Sequence, residues 1–158
     1  MAEIHVLRDS GLLSCLGLGS CIGIVMLDPE TGIAGMAHLM LPESFSKKPT
    51  DKPGKFVNTG IQELIGQLER AGADRHRLRV AYSGGAQVFK FGSEAGLKLD
   101  LGARNASAVK SLLDELGLDT VAIDVGGHTG RTMTFTVETG IVTVRTVTQG
   151  ESVLCQLR

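Results

Sequence analysis

The chain has 158 residues, 42% hydrophobic and 21% charged, with a formal net charge of −1, which fits one globular domain over residues 1–158 with a full core. The near-neutral balance gives no electrostatic footprint for nucleic acid or an anionic membrane, and with one Tyr, five Phe and no Trp base-stacking platforms and aromatic cages are not expected. No apolar segment approaches the roughly 18 residues of a membrane span, so no membrane insertion is expected. Residues 1–5 lack the basic and apolar regions of a secretory leader, and the three cysteines are expected reduced, in the cytoplasm.

In chain order, residues 3–8 and 11–16 read as short strands leading to a glycine-rich bend, Leu16-Gly17-Leu18-Gly19-Ser20-Cys21. Two apolar runs follow, residues 22–27 and 33–41, separated by Asp28-Pro29-Glu30-Thr31-Gly32. Such a pair predicts a β-hairpin. If Asp28 pairs with Ile33, His38 sits opposite Gly23, and Cys21 becomes a diagonal neighbour of His38 on the same face. A slip of two residues would make Cys21 and His38 direct partners, whereas a slip of one would separate them onto opposite faces. The sequence leaves that register open.

Residues 43–54 form a polar loop rich in lysine and proline, expected as a rim. Residues 56–71 predict a helix, with Val57, Ile61, Leu64, Ile65 and Leu68 on one face and Gly72 as the stop. Residues 78–82 predict a strand running into Gly84-Gly85. No nucleotide-binding glycine pattern surrounds that pair, so a tight strand exit is expected. Asn105 or Ser107 is a candidate cap for a second helix closed by Gly117. Strands are predicted at 120–125, 132–137 and 141–147, with the glycine-rich loop 126–131 between the first two. This order gives an α+β class.

Cys21 and His38 carry the chemistry. A cysteine in an apolar run is ordinarily a small buried hydrophobe, and a histidine at a strand end is ordinarily satisfied by a neighbour. Gly17, Gly19 and Gly23 argue for more, because a strand that only needs burial has no use for glycine. Free backbone N–H groups before a nucleophile, near Gly19 and Ser20, are what an oxyanion requires. The cysteines and four histidines show no paired metal-ligand spacing, so no metal and no cofactor is expected. A redox pair between Cys15 and Cys21 is the remaining thiol chemistry and would need their α-carbons within about 7 Å.

These residues resemble the CheD family of bacterial chemotaxis proteins, the chemoreceptor glutamine deamidases. The resemblance runs through the bend at 16–21, Gly35-Met36-Ala37-His38-Leu39-Met40-Leu41-Pro42, Gly84-Gly85-Ala86, Gly102-Ala103-Arg104-Asn105 and Asp124-Val125-Gly126-Gly127-His128-Thr129-Gly130-Arg131, in order. It implies β-sandwich-like sheets flanked by helices, and deamidation of glutamine on the cytoplasmic helices of a chemoreceptor, with Cys21 as nucleophile and His38 as general base. It also implies a CheC-type phosphatase as a partner. The family's third catalytic position is normally threonine and here is Cys15, a weaker hydrogen-bonding group. Either Cys15 substitutes, or Ser14 or a water supplies the hydroxyl, or turnover is lost and a binding module remains. His128 and Thr129 are candidates to line the cleft, whereas Gly126, Gly127 and Gly130 are expected to shape the loop.

Overall fold

The computed structural model describes residues 1–46, 48–88 and 100–158. Among these residues, nine strands and two α-helices follow one another as β1 (Ile4–Arg8), β2 (Leu12–Leu18), β3 (Ile22–Asp28), β4 (Ile33–Leu39), α1 (Val57–Ala71), β5 (Arg79–Gly84), α2 (Leu101–Leu116), β6 (Asp119–Val125), β7 (Arg131–Thr136), β8 (Ile141–Thr146) and β9 (Gly150–Gln156). A five-stranded sheet runs in the order β1-β4-β3-β5-β6, and a four-stranded sheet in the order β2-β7-β8-β9. Among these strands β5 and β6 alone pair in parallel, and α2 lies in the crossover that such a pair requires.

Both helices cover one face of the five-stranded sheet. Ile61, Leu64 and Leu68 of α1 and Val109 and Leu113 of α2 pack on Ile22, Ile24, Met26 and Leu39. The opposite face meets the four-stranded sheet through Val25, Leu27, Ala34 and Met36 against Leu18, Met133, Phe135 and Val142. The central strands β3 and β4 are therefore buried along their whole length on both faces. That burial explains why their sequences are continuous apolar runs rather than alternating ones. The architecture is the α+β arrangement of sheets and helices expected above, and none of its described helices is long and apolar enough to cross a membrane.

Helix α1 ends as predicted on Gly72, whose N–H turns back to the carbonyls of Leu68 and Glu69. Helix α2 begins earlier than predicted. Its cap is Asp100, whose side chain accepts from the Ala103 N–H at 3.0 Å, and Asn105 lies one turn inside. Strand β9 was not predicted at all; its first four residues are exposed and show no apolar alternation. Of the polar rim at 43–54, Lys47 lies outside the described residues.

The turn end of the hairpin is fixed by a buried carboxylate. Asp28 has no solvent exposure and accepts from Arg77 Nε at 3.0 Å and Nη2 at 2.7 Å, with the Glu30 and Asp74 N–H groups also donating to it. The Arg77 guanidinium outweighs burial and holds the Asp28 carboxyl well below the usual carboxylate range. A depressed folded-state value contributes stability that is complete above the unfolded value near pH 4 and disappears as pH falls towards the folded value. Asp28→Asn is therefore expected to melt well below the parent at pH 6. The gap should narrow steadily below about pH 4, and calorimetry at pH 6, 4 and 3 checks this.

Candidate cysteine–histidine site

The β3–β4 register has Asp28 opposite Ile33 and Gly23 opposite His38. Alternation then sends Gly23 and His38 to the inter-sheet face, and Cys21, just ahead of β3, packs against the same inter-sheet core. The diagonal arrangement among the sequence alternatives is the one present. Cys21 is half-buried, and burial pushes its thiol above the ordinary value. His38 is 8% exposed, and burial keeps its imidazole below the ordinary value. Its Nε2 is buried and makes no hydrogen bond, to Cys21 Sγ or to any other described group. Both shifts leave Cys21 as a neutral thiol and His38 as a neutral imidazole near neutral pH.

Cys15 reaches this level from β2 of the facing sheet. A Cβ at position 23 would stand 3.0 Å from Cys15 Cβ and 3.2 Å from its Sγ, so glycine at 23 is what lets the two sheets close here. The Cys15 thiol donates to the Ala37 carbonyl at 3.7 Å, and burial pushes it up to about 12. It remains protonated at physiological pH and is directed at backbone rather than at the imidazole. Ser14, next to it, is on the exposed side of β2 with its Oγ 3.1 Å from Thr134 Oγ1. A groove of about 520 Å³ opens between the edges of the two sheets, with Glu3, His5, Ser14, Cys15, Met36 and His38 in its walls.

The bend before Cys21 is held by its carbonyls. Ala86 N–H donates to Gly19 O at 2.7 Å, Asn105 Nδ2 to Ser20 O at 2.8 Å, and Gly85 N–H to Cys21 O at 2.9 Å. The N–H groups of Gly19, Ser20 and Cys21 have no backbone partner among the described residues. Gly84 makes the close approach feasible: at φ +123°, its missing Cβ would collide with the Cys21 carbonyl oxygen.

The loop between β6 and β7 is anchored by Arg131, which is 8% exposed. Its Nη1 donates to Asp124 Oδ2 at 3.0 Å and to Asp124 O at 3.1 Å, and its Nη2 to the Gly126 carbonyl and to Thr129 O at 3.3 Å. The loop in turn offers Gly127 O to the Gln87 N–H at 2.9 Å. His128 is exposed with Nδ1 3.1 Å from Gln87 O, and with Thr129 it lines a second groove of about 340 Å³ against the β8–β9 end. Ser14 and the pair His128 and Thr129 therefore stand at different grooves. Asn105, read from the sequence as a helix cap, instead bridges the bend to the backbone just beyond β4, and Arg131 is an internal loop anchor that the sequence did not show. The one signal for Asn105 was a poor helix former inside an otherwise amphipathic pattern.

A family model described as CheD chemotactic sensory transduction matches residues 40–146, a span that begins beyond both Cys21 and His38. Full-length relatives include those two positions. A chemoreceptor glutamine deamidase CheD of Halalkalibacterium halodurans is 42% identical over 152 residues, covering 96% of this chain and 93% of its own length. The protein of the same description from Thermotoga maritima is 39% identical over 151 residues, covering 96% and 92%. A probable chemoreceptor glutamine deamidase CheD of Moorella thermoacetica is 43% identical over 147 residues, covering 93% and 88%.

The carbonyl-in geometry makes a stability prediction. Gly84→Ala must both adopt a left-handed φ and push the Cys21 carbonyl aside, and is expected to cost more than about 2 kcal/mol. Gly117→Ala, at φ +66° with open space around its Cβ position, should cost only about 1 kcal/mol. Urea denaturation of the two variants gives the difference.

Proposed function

This chain belongs to the CheD family, and from that premise we propose that it deamidates glutamine side chains on chemoreceptors, with Cys21 as nucleophile and His38 as general base. The observation that carries the reading is the hairpin register, which sets the thiol and the imidazole on one face beside three backbone N–H groups free of backbone partners. The receptor's cytoplasmic helices would be the substrate, placing the protein in the cytoplasm, and a CheC-type phosphatase would be a second partner.

The reaction balances with these groups alone. His38 removes the Cys21 proton as sulfur attacks the side-chain amide carbon, forming the S–C bond and an oxyanion. The N–H groups of Gly19, Ser20 and Cys21, free of backbone partners among the described residues, would stabilise that oxyanion. Collapse breaks the C–N bond, and the imidazolium gives its proton to the departing ammonia. Water, deprotonated by His38, then attacks the thioester, restoring the thiol and leaving glutamate. Because the thiol lies above its ordinary value and the imidazole below its own, the base is needed at the moment of attack; no preformed thiolate–imidazolium pair is invoked.

A second reading has one observation in its favour. His38 Nε2 has no orienting partner, and the Cys15 thiol is directed at the Ala37 carbonyl instead. A chain with that defect would grip receptor or phosphatase without turning over.

Receptor cytoplasmic fragments incubated with the protein should gain the mass of amide-to-acid conversion at specific glutamines. Cys21→Ala should abolish the gain, and His38→Ala should lower the rate by about 10²–10⁴-fold. Binding of the fragments with no gain in mass from the parent protein would establish the second reading. The pH dependence has a definite sign. Activity needs neutral His38, whose value is lowered, so the rate should hold down to below about pH 6.5 and fall only under that; initial rates from pH 5 to 8 check it.

A further inference from the structure

We propose that Asn105 is a positioning residue, whose single side-chain amide ties the bend carrying Cys21 to the strand carrying His38. The inference rests on the reading of those two residues as the reacting pair. Asn105 Nδ2 donates to Ser20 O at 2.8 Å and to Met40 O at 2.9 Å. Ser20 immediately precedes Cys21, and Met40 lies two residues beyond His38. One rigid planar group thus spans the two segments whose separation decides whether sulfur and imidazole meet.

The position is costly for a residue with only a structural purpose. Asparagine is a poor helix former because its side chain competes for backbone groups, yet Asn105 sits within α2. It has no solvent exposure, and its Oδ1 is buried with no partner. A buried amide that satisfies only its donors is one of the exceptions that call for an explanation. The two carbonyl acceptors provide it: both need donors, and no other described group reaches both.

The fold is shaped to deliver this side chain. A Cβ on Gly102 would stand 2.5 Å from Gly85 O, and one on Gly85 would stand 2.9 Å from Gly102 O. Two glycines therefore let the first turn of α2 lie directly on the backbone that follows β5. That same backbone holds Cys21 O and Gly19 O through the Gly85 and Ala86 N–H groups. Asn105, three residues after Gly102, completes the set, so all three carbonyls of the bend are gripped from one side. Loss of the amide would free Ser20 O and Met40 O together and let the bend drift from β4. Misplacement of that kind costs turnover on the order of 10- to 100-fold.

The test compares Asn105→Ala and Asn105→Ser with Val109→Ala. Val109 is one turn further along α2 and fully buried in the helix-side core, so its truncation controls for lost stability without touching either carbonyl. Alkylation of Cys21 by iodoacetamide is followed against pH, with Cys15 and Cys155 resolved by peptide mass spectrometry, alongside kcat and KM on receptor fragments. In Asn105→Ala, alkylation near neutral pH and kcat should both fall about 10- to 100-fold. KM should stay within about twofold. Asn105→Ser, which retains a donor, should fall between, and carries the comparison if Asn105→Ala does not fold. Val109→Ala should shift none of these. Alkylation profiles that overlay the parent's, or a Val109→Ala shift of equal size, would overturn the inference. A parent that alkylates as expected but converts no glutamine would remove the deamidase reading and leave the clamp. Parent and Asn105→Ala deamidating equally fast would do the reverse.

Discussion

The register of one hairpin decides which layer His38 faces. Strands β3 and β4 are buried on both faces, so a slip of one residue would move every side chain to the wrong layer. The core alone penalises that slip, but a slip of two residues preserves the faces and would survive it. What excludes the second slip is at the turn. The Gly32 N–H donates to Asp28 O at 3.0 Å and closes the turn with Asp28 opposite Ile33, while Arg77 and the N–H groups of Glu30 and Asp74 hold the Asp28 carboxylate. Strand pairing carries that choice along the ladder to Gly23 and His38. A tight turn at one end of the hairpin thereby sets where His38 stands at the other.

The site end is built by omission. The facing sheets could not approach at the level of His38 with any side chain at position 23, because Cys15 and Leu18 occupy that space. Cys15 fills the gap as a small protonated thiol. A threonine hydroxyl there would bring a stronger donor and acceptor to the imidazole's neighbourhood, whereas the thiol's long contact is to the Ala37 carbonyl. Position 15 therefore packs as a small thiol and spends its weak hydrogen bond on backbone.

How much of this was legible in the sequence follows from the range of each interaction. The hairpin and α1 were readable because their signals are local: apolar runs of strand length around turn residues, and a helical face ending on glycine. The start of α2 was misplaced because Asn105 has the chemistry of a cap, and Asp100 won only through its bond to the Ala103 N–H. Strand β9 escaped because it is an edge strand with little burial, so its pairing with β8 leaves no periodic trace. The roles of Asn105 and Arg131 were illegible for a different reason. Asn105 depends on carbonyls brought near by the fold, at a separation of 85 residues for Ser20, and Arg131 on nearby loop carbonyls of Asp124, Gly126 and Thr129; backbone acceptors are the same in every sequence.

The bend before Cys21 also differs from a cradle that merely contains glycine. Flexible backbone could present N–H groups to an oxyanion only after paying the entropy of ordering them. Here the order is imposed beforehand, because three carbonyls are bound from the protein side by Gly85, Ala86 and Asn105. The Gly19 and Ser20 carbonyls share their peptide planes with the N–H groups of Ser20 and Cys21, so gripping those two oxygens fixes these two N–H directions as well. Preorganised donors of this kind stabilise developing charge without reorganising during the reaction. The reason for glycines at 84, 85 and 102 is then the same as the reason for asparagine at 105: they bring a second layer of backbone and one amide close enough to grip a first layer by its oxygens.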